Sequence, residues 1–150
     1  MTKKNRALIF VALALAAVYV VCFTDWFRPK VIVIHHISRE MRMEHRPPGV
    51  PAPLIVPITF GFEKDWKLTE LEVVELSAWQ TNHDVVPLWH LTTRSHSIPL
   101  KMFRYGQRIQ GMEPSVTGSR AEELQPGIAY RLFVTAGSAH GQHDFIPVAP

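Results

Sequence analysis

The sequence predicts an all-β protein, an antiparallel sandwich preceded by one transmembrane helix. Two observations predict this fold class. Residues 7–23, ALIFVALALAAVYVVCF, form an uncharged apolar run. From residue 54 onward, apolar and polar side chains alternate in short segments bounded by Gly, Pro and Asn, and no segment has the period of an amphipathic helix. Short strands in succession favour a sandwich over a parallel α/β fold.

The N-terminal region predicts a membrane anchor. The run at 7–23 reaches the length that a spanning helix needs, about 17 to 25 residues. Trp26 and Phe27 follow it, as is typical of a membrane–water interface. The basic residues of the segment before it, MTKKNR, favour a cytoplasmic N-terminus. We therefore expect a single-pass protein whose C-terminal domain is extracytoplasmic, which is periplasmic in a Gram-negative cell.

This interpretation divides the chain into four regions. They are a cytoplasmic basic tail (1–6), a transmembrane signal anchor (7–27), a strand with a Pro-rich connector (28–53) and a β-sandwich domain (54–150). A cleaved signal peptide and a lipoprotein acylated at Cys22 are the alternatives. The bulky residues 18–21, VYVV, favour the uncleaved anchor over both. All three interpretations place residues 28–150 outside the cytoplasm.

The charge of the chain argues against nucleic acid as a partner. The formal net charge is +3, and Lys3, Lys4 and Arg6 account for all of it. The remaining 13 basic residues (16 minus 3) balance 13 acidic residues. A neutral domain lacks the basic face that phosphate binding requires. The single cysteine, Cys22, also excludes an intrachain disulfide.

The first strand is predicted at 31–38, VIVIHHIS, because β-branched residues dominate it. The charged segment 39–46 and the Pro-rich segment 47–53, PPGVPAP, follow. Four prolines exclude a helix there and predict an extended connector. The first strand can therefore lie apart from the domain or pair at its edge.

The remaining pattern predicts six more strands. Turns are expected at 63–67 and 138–144, and the segment 110–120 is expected to be mostly loop. A bulge is expected near Val73 and Val74, because the apolar side chains change there from one face of the strand to the other. The strands are expected at 54–62, 68–76, 84–93, 98–106, 130–137 and 145–149.

The most specific motif is LQPGIAYRLFV at 124–134. Its Leu124, Pro126, Gly127 and Tyr130 resemble the end of fibronectin type III domains, where a leucine and a Pro-Gly turn lead into the sixth strand. The resemblance implies a tyrosine corner, in which the buried ring sends its hydroxyl back to the main chain near the turn. The core tryptophan of that family comes earlier than the tryptophans here, so the broader name, immunoglobulin-like sandwich, is the one implied. The resemblance therefore implies a role in binding, spacing or display.

A histidine cluster suggests a metal site as an alternative. His140, His143 and Asp144 fall in the predicted last hairpin, and His96 could join them from another loop. A closed zinc site needs four ligands at defined spacing. A polar turn, with positive φ at the two nearby glycines and Asp144 bonding turn amides, explains the segment more simply. We therefore expect no cofactor.

No set of catalytic residues is apparent. Ser95, His96 and Ser97 are adjacent in sequence, which does not make a triad. The segment 136–140, AGSAH, keeps only the first glycine of a nucleophile elbow. We therefore expect that the protein is not an enzyme.

The sequence thus predicts a membrane-anchored extracytoplasmic module for protein interaction or envelope structure, with a protein partner in the envelope. A periplasmic metal-binding protein is the alternative. Arg104, Arg108 and Met112 are candidates for a contact surface. A carbohydrate site using Trp66 and Trp79 is a third hypothesis, although packing is the simpler use of both rings.

Overall fold

The computed structural model describes residues 3–23, 29–39, 49, 51 and 55–150. Much of the predicted connector, the interfacial Trp26 and Phe27 and the residues 1–2 lie outside the described residues. Within these ranges the chain forms an N-terminal helix, a second short helix and eight strands. Their bounds are α1 Lys3–Phe23, β1 Ile34–Ser38, β2 Ile58–Lys67, β3 Glu70–Glu75, α2 Leu76–Thr81, β4 Trp89–Thr92, β5 Pro99–Arg104, β6 Glu113–Pro114, β7 Tyr130–Ala136 and β8 Ala139–Phe145.

The strands form two antiparallel sheets. One is three-stranded, in the order β1-β2-β5, and the other is five-stranded, in the order β6-β4-β3-β7-β8. Their inner faces share one apolar core, because alternate side chains of each strand point inward. The largest fully buried side chains are Phe60, Phe62, Phe103, Ile32, Ile58, Leu68, Leu71, Leu124, Leu132, Val73, Val74 and Val134. The predicted two-sheet antiparallel architecture is therefore confirmed.

Helix α1 takes no part in this core. It is 21 residues long, and none of its residues is buried. Among the described residues, α1 is the one helix that is long and apolar enough to cross a membrane. A signal sequence would have the same length and composition. The sandwich core is thus complete without it.

The first strand is an integral part of the sandwich. It pairs with β2 from Ile34 opposite Phe62 to Ser38 opposite Ile58. Just before it, the Ile32 amide donates to the His140 carbonyl at 2.8 Å, and the His140 amide donates to the Lys30 carbonyl at 3.1 Å. Residues 30–38, called the bridging segment below, therefore pair first with the five-stranded sheet and then with the three-stranded sheet.

Three local predictions are wrong. The segment predicted as a turn at 63–67 continues β2, since Trp66 packs against the core. No bulge interrupts β3, whose register with β7 is continuous. Val74 is buried on the second face, next to the position where the chain turns into α2. Helix α2 itself was not predicted, because six residues are too few to show a helical period.

The end of the chain also differs from its prediction. The segment 138–144, which is predicted as a turn, is mostly strand β8. Of the closing strand predicted at 145–149, only Phe145 belongs to β8. The reversal needs only two residues, with Ala136 opposite Ala139. Gly137 takes a positive φ of 62°, as the first position of a tight hairpin favours. A positive φ is also predicted for Gly141, but Gly141 does not adopt one, because it lies within strand β8.

Candidate functional site

The motif around Tyr130 forms a structural corner. The Tyr130 ring is 2% exposed, and its hydroxyl accepts a hydrogen bond from the Gln125 amide at 3.1 Å. Gly127 has a φ of 79°, and its amide donates to the Pro147 carbonyl at 2.9 Å. Leu124 is buried beneath the turn. These contacts secure the loop before β7.

Strand β8 separates the predicted metal ligands. Successive side chains of a strand point to opposite faces, so His143 lies on the inner face with Ala139 and Phe145, while His140 and Asp144 lie on the outer face. Among the residues that the structure describes, no group of three or more His, Cys, Asp or Glu could hold a metal ion. The convergence of His140, His143 and Asp144 that the alternative metal hypothesis requires is therefore not found among these residues.

The separated residues have other partners. Asp144 accepts two hydrogen bonds from the Arg131 guanidinium, at 2.5 and 2.8 Å, and these bonds lower the pKa of its carboxyl. His140 lies 3.3 Å from the Thr135 hydroxyl. His96 sits in the loop before β5, with Nδ1 3.2 Å from the Ser97 carbonyl. His96 and His140 thus make separate local contacts and do not combine into a site.

His143 instead meets His36 across the two sheets. The Nδ1 atom of His36 lies 2.7 Å from the Nε2 atom of His143, and the two residues are 107 positions apart. The His36 ring also packs against Phe145, with centroids 6.1 Å apart. Burial lowers the pKa of His143, and the neighbouring His36 lowers it further. One ring must donate and the other accept, so this bond requires a neutral acceptor imidazole.

The outer face of the five-stranded sheet carries a layered stack. Trp79 of α2 stacks with the His83 ring, with centroids 4.3 Å apart, and the Arg131 guanidinium lies over the Trp79 ring, 4.8 Å from its centroid. Asp144 holds Arg131 from the far side. The structure therefore shows the Trp79 ring packed against side chains of its own chain. Nothing in the sequence pattern indicates this stack, because its members come from α2, β7 and β8.

Two carboxylates border the same stack. Glu70 pairs with the His90 ring at 2.8 Å. Burial raises the pKa of the Glu72 carboxyl, and the charge of His90 partly opposes that effect. Glu70 and Glu72 line a depression of about 250 Å³ beside Trp79.

A predominantly apolar depression lies beside the long loop between β5 and β7. We call it the loop groove; its volume is about 810 Å³. Trp89, Tyr105, Ile109 and Met112 form its apolar floor. The Tyr105 hydroxyl donates to the Glu122 carbonyl at 2.8 Å, and burial raises the pKa of this phenol.

The predicted contact surface at this loop is partly corrected. Arg104 and Arg108 are exposed as expected. Met112 is only 6% exposed, because it fills the floor of the loop groove. The rim combines both signs of charge, with Arg108 and Arg120 facing Glu113, Glu122 and Glu123. An apolar floor within a polar rim is the usual anatomy of a protein contact.

The fold and these sites define a class of protein, a two-sheet antiparallel β-sandwich that follows an apolar N-terminal helix. No family model matches the chain, and no curated protein and no solved structure matches it.

Proposed function

We propose that the protein is a membrane-anchored, extracytoplasmic β-sandwich module that binds a protein partner in the cell envelope and carries out no catalysis. One observation carries the proposal. Helix α1 is apolar throughout 7–23 and contributes no buried residue, whereas the sandwich has a core of its own. An exposed apolar helix of this length needs a hydrocarbon environment.

The proposed orientation keeps the N-terminus in the cytoplasm. The basic residues before the apolar run support it, since short basic segments remain on the cytoplasmic side. The narrower identification as an immunoglobulin-like domain with a fibronectin type III ending is part of the proposal. The Tyr130 corner and the two antiparallel sheets support it.

The proposed contact surface is the loop groove. Its occupant would be a protein segment that presents an apolar side chain flanked by polar groups, because the floor is apolar and the rim carries both charges. Loops on a rigid sandwich are common positions for binding residues. The His36–His143 pair and the Trp79 stack are internally satisfied and are not needed for this contact.

The anchor and its orientation are tested in intact cells with a C-terminal tag on the full chain. We expect protease added to spheroplasts to remove the tag, while a cytoplasmic marker stays intact. We also expect the chain to resist alkaline extraction from membranes. A protected tag would contradict the orientation, and a chain released by alkali with its N-terminus cleaved would replace the anchor by a signal peptide.

The contact is tested by a photo-crosslinking residue at Arg120, on the rim of the loop groove. The matched control places it at Gln142, exposed on the opposite sheet face. We expect one discrete adduct from position 120 that Arg108→Glu weakens, and none from position 142. Equal adducts at both positions, or adducts insensitive to Arg108→Glu, would contradict the loop groove as the contact surface.

A further inference from the structure

The bridging segment begins beside a second depression at the end of the sandwich that follows the anchor. We call it the anchor-side groove; its volume is about 390 Å³. Its lining combines lysines, a tryptophan and exposed aliphatic side chains with one carboxylate. The lining residues are Pro29, Lys30, Val31, Val33, Glu63, Lys64 and Trp66.

The position of this groove follows from the chain itself. Lys30 comes seven positions after Phe23, the last residue of α1 (30 minus 23). Seven residues reach at most about 25 Å even when fully extended. Lys30 is in turn fixed to the sandwich, because its carbonyl accepts from the His140 amide. If α1 spans a membrane, this end of the sandwich stays close to the membrane surface.

The chemistry of the groove suits lipid headgroups. Val31 is 70% exposed and Val33 is 50% exposed, so neither side chain belongs to the core. The Lys64 ammonium lies 4.5 Å from the centroid of the Trp66 ring. Tryptophan is enriched where hydrocarbon meets water, and lysine extends its ammonium toward phosphate while its stem covers apolar surface.

The charge of the groove favours anionic lipid. Among the described residues that line the groove, two are lysines, Lys30 and Lys64, and one is a carboxylate, Glu63. The surface potential of anionic headgroups attracts basic side chains close to the membrane. The opposite end of the molecule lies far from this groove, because the seven residues of β8 carry the chain about 20 Å from Ala139 to Phe145.

We propose that the anchor-side groove of the sandwich rests on anionic phospholipid headgroups, through Lys30, Lys64, Trp66 and the exposed Val31 and Val33. This inference rests on the proposed anchor. It adds a second membrane contact that fixes the orientation of the sandwich on the bilayer and keeps the loop groove, on another part of the domain, away from the lipid.

The test uses the full chain reconstituted in phosphatidylcholine vesicles, with or without phosphatidylglycerol. Cys22→Ser removes the single native cysteine, and an environment-sensitive fluorophore is attached at Val33→Cys or, as the control, at Ile146→Cys. Ile146 is similarly exposed, at 52%, but follows the far end of β8. A spin label on the lipid headgroups acts as the quencher.

We expect quenching at position 33 that increases with phosphatidylglycerol, and little quenching at position 146. Lys64→Glu should abolish the increase, whereas Lys101→Glu, which reverses an exposed lysine outside the groove, should preserve it. A label at Val31→Cys repeats the measurement should the variant at 33 fail to fold.

Three results would overturn the inference, and they differ in meaning. Equal quenching at 33 and 146 in a chain that resists alkaline extraction from the vesicles would refute the headgroup contact alone. Release of the chain by alkali would refute the anchor and, with it, this contact. Protection of position 33 in cells but not in vesicles would assign the anchor-side groove to a protein instead of lipid.

Discussion

At the scale of single residues, the buried polar atoms of the core each have a specific partner. The Tyr130 hydroxyl accepts from the Gln125 amide, and the Ser97 hydroxyl accepts from the Leu68 amide at 2.8 Å. Among the described residues, no buried side-chain nitrogen or oxygen lacks a hydrogen-bond partner. Loss of one partner leaves the other group buried and unsatisfied, which costs more than the bond itself contributes.

The substitution Tyr130→Phe tests the cost of an unsatisfied hydrogen-bonding group at the Tyr130 corner. The substitution removes only the hydroxyl, so the ring packing against Phe145 remains. We expect the free energy of unfolding to fall by about 1 kcal/mol, because the Gln125 amide loses its acceptor. Urea denaturation of the detergent-solubilised chain, followed by tryptophan fluorescence, measures the change. Tyr19→Phe in α1 is the control, and an equal effect at both positions would contradict the role of the corner.

His143 predicts a pH dependence of stability. Its pKa is lowered in the folded protein, mainly by burial, so the unfolded chain binds the proton more readily. Stability is therefore full above the unfolded pKa, about 6.5, and falls as the pH drops below it toward the lower folded value. Urea denaturation midpoints measured between neutral and mildly acidic pH should decline in that window.

His143→Gln is expected to flatten this decline, because it removes the titrating imidazole. His140→Gln is the matched control, since His140 lies on the exposed face of the same strand. The charges that also act on the His143 imidazole are those of His36, Asp144 and His35. An unchanged slope in His143→Gln would contradict His143 as the source of the decline.

At the scale of elements, the bridging segment connects the two sheets at one side of the sandwich. It reaches β8 closely because Gly141 has no side chain. A Cβ atom at Gly141 would lie 2.5 Å from the Ile32 carbonyl oxygen and 2.8 Å from the Ile32 Cβ. Both are too close for real contacts, so any larger residue must push the bridging segment away.

Gly141→Ala is therefore expected to destabilise the sandwich by about 1 to 3 kcal/mol, as overpacking of a close contact does. Gly61→Ala is the matched control. The three atoms nearest to a Cβ added there all belong to the His35 ring, whose exposed side chain can rotate away. Denaturation midpoints of the two variants should differ clearly. Equal midpoints would show that the bridging segment moves at little cost.

At the scale of the whole molecule, helix α1 and the sandwich are independent in their packing. No residue of α1 is buried, whereas Ile32 and Ile34 of the bridging segment belong to the core. Removal of the helix should therefore leave folding intact, while removal of the bridging segment should not.

Two truncations test this division. The fragment 29–150 is expected to unfold in one cooperative transition and to be monomeric at low concentration. The fragment 55–150 is expected to be much less stable and prone to association, because it loses two core isoleucines and exposes the edges of β2 and β8. Chemical denaturation and size-exclusion chromatography measure both properties. Cooperative folding of 55–150 with unchanged stability would contradict the role assigned to the bridging segment.

The sequence by itself determined the class of the fold, the apolar helix and the environment of Tyr130. These properties depend on local periodicity and on a motif confined to 124–134, so they are visible in consecutive residues. The β strands at 98–106 and 130–137 were predicted nearly to their observed ends for the same reason. The paired sheets themselves follow from alternating apolar faces that must be buried against each other.

Only the tertiary structure decided which residues meet. The sequence grouped His140, His143 and Asp144 because they are neighbours in the chain, but strand alternation sends His143 inward to His36, far away in sequence. The sequence likewise did not determine whether β1 pairs with the sandwich, because the connector that follows it could take many different paths. Pairing partners depend on distances between sheets and on close approaches such as Ile32 at Gly141, and these are properties of the folded chain.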